Sequence, residues 1–277
     1  MNIPRAEVIP TEQIKAVLDR IQKRQNTQPS GSSTVQNPLV DCELCGDREL
    51  ILEQQQGTWV ARPCMCKEQK SLNRMLRSSG IKSEQLYIKI SDYKPKQQTM
   101  AMMRMVQRYI EEFPGIYKSE DYSKGLALSG TVGIGKTMLA VAIANELLER
   151  KIPTVFVVTP DLMGELRAAQ FTDGGQELEQ KVEKLSSVEV CIFDDIGKEK
   201  ATEWVQTQYF RIIDGRYRNK LPTIITSNYN FDQISERLGE AVASRLYELT
   251  KDRQIFVASD DYRLRPRDAT KRRDYID

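Results

Sequence analysis

Four groups of residues in this 277-residue sequence have types and spacings that do chemistry. The first is Gly130-Thr131-Val132-Gly133-Ile134-Gly135-Lys136-Thr137, in which Gly130 and Gly135 enclose four residues and Lys and Thr follow at once. A glycine-rich turn between a strand and a helix exposes consecutive backbone N–H groups, and the helix N-terminus adds positive partial charge. Such a turn, running on to Met138, holds a polyphosphate. Lys136 then reaches the terminal phosphates, and the Thr137 hydroxyl goes to Mg2+. The second group is Asp194 and Asp195, at the end of the apolar run "VEVCIF". Asp194 is the expected second anchor for Mg2+, through water, and Asp195 stands where a carboxylate orients or deprotonates an attacking water. The third is Asn228, at the end of "LPTIITSN", where a neutral amide can position that water against the terminal phosphate. Asn followed by Tyr-Asn is also good turn chemistry, so that role has a purely conformational competitor.

The fourth group is Cys42-x-x-Cys45 and Cys64-x-Cys66, with eighteen residues between the pairs. Four thiolates at this separation close a tetrahedral zinc site, and Gly46 permits the tight turn after the second ligand. The C-x-C pair departs from the commoner C-x-x-C spacing. Four cysteines leave no open position for water, so the expected zinc is structural, holding a segment too small to hold itself. The fifth cysteine, Cys191, lies in an apolar strand and reads as core.

These residues need elements to position them. From Gly125 onward, apolar runs alternate with helices: "LALS", "TVFVV", "VEVCIF", "TIITS" and "QIFVA". Runs this apolar suit strands buried on both faces, so the fold class is α/β, a parallel sheet flanked by helices and preceded by a small zinc-binding module. Helices are predicted over residues 67–79, 97–113, 137–150, 161–169, 176–186, 202–218, 231–238 and 240–249. The methionines of 97–113 read as core packing. Residues 11–24 place Ile14, Val17, Leu18 and Ile21 at helical spacing, with Thr11 as N-cap, and "QNTQPSGSSTVQNP" reads as a linker. That helix has two open readings, docking in a partner's groove or folding back on the main domain. The expected organisation is an amphipathic helix (1–24), a linker (25–40), the zinc module (41–68), a helical connector (69–120), the nucleotide-binding domain (121–260) and a basic tail (261–277).

Composition excludes some classes. No apolar run approaches the ~18 residues of a membrane span, and the N-terminus lacks the apolar stretch of a secretory signal, so the expectation is a cytoplasmic protein with no membrane partner. In that reducing compartment the cysteines are thiols or metal ligands, with no histidine anywhere to share the work. A formal charge of +2 does not announce a nucleic-acid binder, and the densest basic stretch is "RLRPRDATKRR".

The succession "GTVGIGKT", "CIFDDIG", "TIITSN" and "RLGEAVASRLYEL" resembles the AAA+ ATPases of the DnaC/DnaI helicase-loader and IstB-like group, over roughly residues 85–258. The resemblance implies the AAA+ form of the P-loop NTPase fold, with ATP as the nucleotide. It places Asn228 at the sensor 1 position and Arg245, in "ASRL", at the arginine-finger position that reaches a neighbouring subunit's nucleotide, which implies self-association. Arg237 is near enough in sequence to be confused with it. Arg263 and Arg265 follow the last strand without the small helical lid of larger relatives, so a second sensor stays unassigned.

The cysteine pairs resemble the N-terminal modules of some loaders, phage and mobile-element versions included. There the N-terminal region engages the replicative DNA helicase, while the AAA+ domain handles ATP and single-stranded DNA. The resemblance thus implies a loader that places the replicative helicase on DNA, with an IstB-type transposition helper, acting with a transposase, as the alternative. Arg167 and Phe171, in "DLMGELRAAQFTDGGQELEQ", fall where related ATPases insert a DNA-contacting element; one cation and one ring suit a stacked strand, and a solvated helix face explains them equally. A phosphotransferase would instead need an arginine-rich lid where "KEKATEWVQTQYFRIIDGRYRN" reads as one helix.

Overall fold

The computed structural model describes residues 42, 44–55, 58–67, 70, 71, 75, 78–199 and 202–258. The expected N-terminal helix, linker and basic tail, with Arg263 and Arg265, lie outside the described residues, as does much of the helix expected over 67–79. Two compact units divide between residues 74 and 75.

In the first unit, β1 (Leu50–Gln55) and β2 (Thr58–Pro63) form an antiparallel hairpin, with Leu52 opposite Ala61 and Glu53 opposite Val60. The hairpin lies between the two cysteine pairs in sequence. The Cys64 N–H donates to Glu49 O at 2.9 Å, which brings the second pair back to the start of β1.

In the second unit, β3 (Leu126–Gly130), β4 (Thr154–Val158), β5 (Val190–Asp194), β6 (Thr223–Ser227) and β7 (Gln254–Val257) form a parallel sheet in the order β4-β5-β6-β3-β7. The helices are α1 (Met100–Lys118), α2 (Lys136–Glu149), α3 (Thr159–Ala169), α4 (Gln176–Ser187), α5 (Glu203–Arg218), α6 (Phe231–Leu238) and α7 (Glu240–Thr250). Successive strand residues point to opposite faces, and both faces are covered. Leu126, Leu128, Ile192 and Ile224 join Met102, Val106 and Phe113 of α1 and Leu139 and Ile143 of α2 in one core. Ala127, Cys191, Phe193 and Ile225 join Leu166, Leu185, Ile212 and Leu246 in the other. Met102 and Cys191 are core residues, as their patterns indicate. Among the described residues no helix is long and apolar enough to cross a membrane.

Several boundaries shift by a few residues from expectation, two of them for visible reasons. Helix α1 runs through Pro114 to Lys118 instead of ending at 113. Proline has no N–H for the carbonyl four residues back, Ile110 O, and Arg150 Nη1 supplies that bond from outside at 2.9 Å. Strand β5 starts at Val190, not Val188, because the Val188 N–H closes α4 onto Lys184 O.

Two of the strands that carry the chemistry, β5 and β6, are held at their opposite, amino-terminal ends by Arg216. This fully buried guanidinium donates to Leu185 O, Val188 O and Pro222 O at 2.8, 2.9 and 2.7 Å and to Thr223 Oγ1 at 2.9 Å. It ties the segment entering β5 to the first residue of β6. Burial lowers its pKa, yet an arginine remains charged, and the ring of acceptors replaces the water it has lost.

Candidate active site

The expected residues meet at the carboxyl ends of three neighbouring strands. β3 delivers the phosphate loop, β5 delivers Asp194 and β6 delivers Asn228, and β6 lies between the other two. Open α/β sheets bind ligands in this position. Gly130 leaves β3 with φ 148°, and a Cβ there would stand 2.0 Å from Val257 O of β7, so only glycine fits. Gly135 opens α2 with φ 91°, and its Cβ would stand 2.5 Å from the Tyr93 ring. Buried Tyr93 donates its hydroxyl to Ile134 O at 2.7 Å and floors the loop.

Lys136 is buried and curls back over the loop, its Nζ donating to Gly130 O at 2.8 Å, Thr131 O at 2.9 Å and Asn228 Oδ1 at 2.8 Å. The other end of the Asn228 amide donates to Asp195 Oδ1 at 2.7 Å, and Asp195 Oδ2 accepts from Lys198 at 2.7 Å. The two residues expected around Mg2+ touch directly, Thr137 Oγ1 donating to Asp194 Oδ2 at 3.0 Å. Burial pushes the Asp194 carboxyl above the usual carboxylate range; the hydroxyls of Thr226 and Thr137 oppose that shift, and the neighbouring Asp195 charge adds to it.

A cavity of about 420 Å³ opens over this arrangement, lined by Val132, Gly133, Gly135, Lys136, Thr137 and Met138 of the loop, by Asp195, Lys198 and Asn228, and by Gln85 and Ile88. Those last two precede α1 and carry no motif. They are held by Asn145 of α2, whose buried Nδ2 donates to Gln85 O at 2.8 Å and Ile88 O at 2.9 Å. Tyr93, Asn145, Gln85 and Ile88 are thus site residues that sequence reasoning missed. None has a recognisable spacing from the loop. A glycine cradle that excludes Cβ atoms, a buried lysine, and a hydroxyl against a carboxylate fit a nucleoside triphosphate with its Mg2+.

A family profile described as an IstB-like ATP binding protein matches residues 43–270. The chain belongs to the IstB-like ATP-binding family. Among relatives of this IstB-like chain, the replicative helicase loader DnaC of Escherichia coli strain K12 is 27% identical over 223 residues, covering 79% of this chain and 87% of the relative. The phage-like element PBSX protein XkdC of Bacillus subtilis strain 168 is 27% identical over 239 residues, covering 82% and 86%. A crystal structure of the DnaC helicase loader superposes with a TM-score of 0.53 at 26% identity, over 65% of this chain and all of that one. The IstB-like chain therefore has the AAA+ P-loop fold and is an ATPase.

Three arginines singled out in the sequence of this IstB-like chain, Arg237, Arg245 and Arg167, fall in three different places. Arg237 stacks on Tyr229, its guanidinium carbon 4.0 Å from the ring centroid, and donates to Gly197 O at 3.2 Å beside the Asp-Asp-Ile-Gly turn. Arg245 donates to Asp214 Oδ1 at 2.6 Å and to Ala241 O at 3.1 Å and lies over the Phe210 ring. It does not line the cavity of its own chain. Arg167 stacks on Trp204, while Phe171 stands 82% exposed. The segment after Asp195 carries α5 as one helix, with no arginine-rich lid among the described residues.

In the first unit, the Sγ atoms of Cys42, Cys45, Cys64 and Cys66 all lie within 4.8 Å of one another, with Cys42–Cys64 at 3.7 Å and Cys45–Cys66 at 3.3 Å. Four sulfurs ~2.3 Å from a tetrahedral zinc would stand ~3.8 Å apart, so the donor set fits that ion. Two knuckle turns shape it, with Gly46 N–H on Cys42 O at 2.9 Å and Lys67 N–H on Cys64 O at 3.0 Å. Gly46 is at φ 53°, in the left-handed region. Desolvation acts to raise the Cys45 thiol, but hydrogen bonds from Cys66, the Glu49 backbone, Cys42 and Cys64 outweigh it and bring it down to about 7. Burial and the same sulfur contacts push the Cys66 thiol up, so Cys45 and Cys66 behave as one pair that shares a proton.

Proposed function

We propose that the protein is a cytoplasmic helicase loader, an ATP-driven switch whose N-terminal region grips a replicative DNA helicase while its AAA+ domain binds ATP and single-stranded DNA. The observation that carries this reading is the continuous contact from Lys136 through Asn228 to Asp195, beside Thr137 on Asp194, in a chain similar to DnaC over most of both lengths.

In this reading the backbone from Gly130 to Met138 cradles the phosphates, and Lys136 leaves its carbonyl partners for their oxygens. Thr137 and Asp194 hold Mg2+, which when bound neutralises charge on the phosphates. Asp195 orients the lytic water and takes up its proton, and Asn228 fixes that water against the terminal phosphate. Arg245 acts on a neighbouring subunit's nucleotide, so the AAA+ domain works self-associated. Cys42, Cys45, Cys64 and Cys66 hold one structural Zn2+.

The organisation proposed with it is a helix over 1–24, a linker over 25–40, the zinc module over 41–68, a connector over 69–120, the ATPase over 121–260 and a basic tail over 261–277. The test is to mix the protein with the host's replicative helicase and ATP. A defined complex that deposits helicase on single-stranded DNA supports the loader. The IstB-like family description favours a second reading, a transposition helper. Capture of a transposase with duplex DNA, and not of the helicase, would establish that one.

A further inference from the structure

We propose that Thr226 is the positioning residue of this ATPase, a single buried hydroxyl that sets both carboxylates of the Asp194-Asp195 pair. The inference rests on the reading that Asp194 anchors Mg2+ and Asp195 acts on water. Thr226 lies on β6, two residues before Asn228, and its side chain is 1% exposed. A hydroxyl has one proton to give and two lone pairs to offer. Here the proton goes to Asp194 Oδ1 at 2.6 Å, and the oxygen accepts the Asp195 N–H at 2.9 Å.

Each bond has a consequence. With Oδ1 occupied from the β6 side, Oδ2 is the oxygen that meets Thr137 Oγ1. Oδ2 would thereby be the carboxylate oxygen that Thr226 leaves available, beside Thr137, to a cation. The second bond holds the amide of a residue in an unusual conformation: Asp195 has φ 63°, a left-handed turn that non-glycine residues seldom adopt. In that turn the Asp195 carboxylate reaches Asn228 Nδ2 at 2.7 Å. One hydroxyl thus fixes a side chain at 194 and a backbone at 195, the two carboxylates placed around the cation and the water. Branching at Cβ restricts the threonine's χ1, so the hydroxyl is aimed before nucleotide arrives. The Asp194 carbonyl is separately held by Thr159 Oγ1 at 3.0 Å, which leaves Thr226 in charge of the carboxylate end.

The experiment compares Thr226→Val, Thr226→Cys and Thr226→Ser with the wild type. ATP turnover is followed as a function of Mg2+ concentration, and affinity for a fluorescent ATP analogue is measured in EDTA. In Thr226→Val, kcat should fall ~10–100-fold and half-saturating Mg2+ should rise ~10-fold, the scale of a lost charge-assisted hydrogen bond, with affinity in EDTA within ~2-fold. Thr226→Ser should recover to within ~3-fold, because it keeps the hydroxyl. Wild-type kcat and Mg2+ dependence in Thr226→Val overturns the inference, as does Thr226→Ser impaired as deeply as Thr226→Val. Should Thr226→Val melt below the assay temperature, Thr226→Cys decides by the same two readouts: its weak thiol donor should impair both, and wild-type behaviour overturns the inference. Asp194→Asn run alongside separates the levels. If it keeps normal Mg2+ dependence, the reading of Asp194 fails; if it loses turnover while Thr226→Val does not, only the role of Thr226 fails.

Discussion

Lys136 Nζ donates to Asn228 Oδ1 at 2.8 Å, joining the phosphate loop to the end of β6 across 92 residues of sequence. The same amide continues to Asp195, so Asn228 touches both the phosphate-binding cation and the carboxylate assigned to the water. Asn228→Ala should keep ATP affinity within a few-fold and lower kcat ~10²-fold, the usual effect of removing one preorganised polar group. Nucleotide titration and single-turnover hydrolysis measure the two separately. An unchanged kcat would return Asn228 to the role of a turn residue.

Lys136 and Asp195 should fail differently. Lys136→Ala removes the buried cation of the phosphate loop and should abolish detectable ATP binding. Asp195→Asn keeps the loop, the lysine and Asp194, so it should bind ATP and Mg2+ normally while hydrolysis slows ~10²-fold. Equal loss of affinity in both variants would dissolve the division of labour between Asp194 and Asp195.

Asp194 predicts a trade between stability and activity. Its folded-state pKa is raised by burial above the ordinary value, so the folded protein binds that proton more tightly than the unfolded chain. The stabilisation is therefore full below the unfolded pKa and is lost as pH rises through the folded one. Asp194→Asn should raise the melting temperature of the nucleotide-free protein at pH 7 and lose that advantage near pH 4, while Mg2+-dependent turnover collapses. Thermal melts at the two pH values check the sign, and a variant less stable at pH 7 contradicts it.

The cysteine cluster should carry about one zinc per chain, because four thiolates make one closed site. Cys191 is fully buried, so the native protein should show no rapidly reacting thiol, and chelation should expose four. Cys64→Ser should release the metal and unfold the first unit while ATP binding by the second persists. Metal analysis finding no zinc in freshly purified protein counts directly against the site.

Arg245 is 27% exposed and tied to Asp214, which also pairs with Arg218 at 2.7 Å. As a finger acting between subunits it would have to leave that pair. Arg245→Ala should bind ATP normally and hydrolyse it ~10³-fold more slowly, as trans-acting arginines do. Adding Lys136→Ala protein should restore part of the turnover, because its intact Arg245 can face the other variant's intact loop. Full activity of Arg245→Ala at every concentration would make this arginine a partner of Asp214 and nothing more.

The phosphate loop, Asp194, Asp195 and Asn228 were legible in the sequence because each follows an apolar run, and a strand end next to a polar residue is a local pattern. Both cysteine pairs were legible for a similar reason, since ligand spacing is written along the chain. The alternation of Ile192 with Phe193 and of Ile224 with Ile225 likewise announced strands covered on both faces. Strand order was not legible. That β6 lies between β3 and β5 follows from packing, and it is this order that brings Lys136 to Asn228 and Asn228 to Asp195.

The same limit hid Tyr93 under Gly135, Asn145 behind Gln85 and Ile88, Arg150 on Ile110 O, and Thr226 on two consecutive aspartates. Each acts through a contact whose partners lie tens of residues apart, so no spacing records it. The sequence by itself determined which groups could do chemistry, because residue type and local period set what a side chain can donate, accept or bury. Only the tertiary structure decided which of those groups touch, because hydrogen bonds are ångström-scale contacts and the folded sheet alone sets distances between residues far apart in the chain.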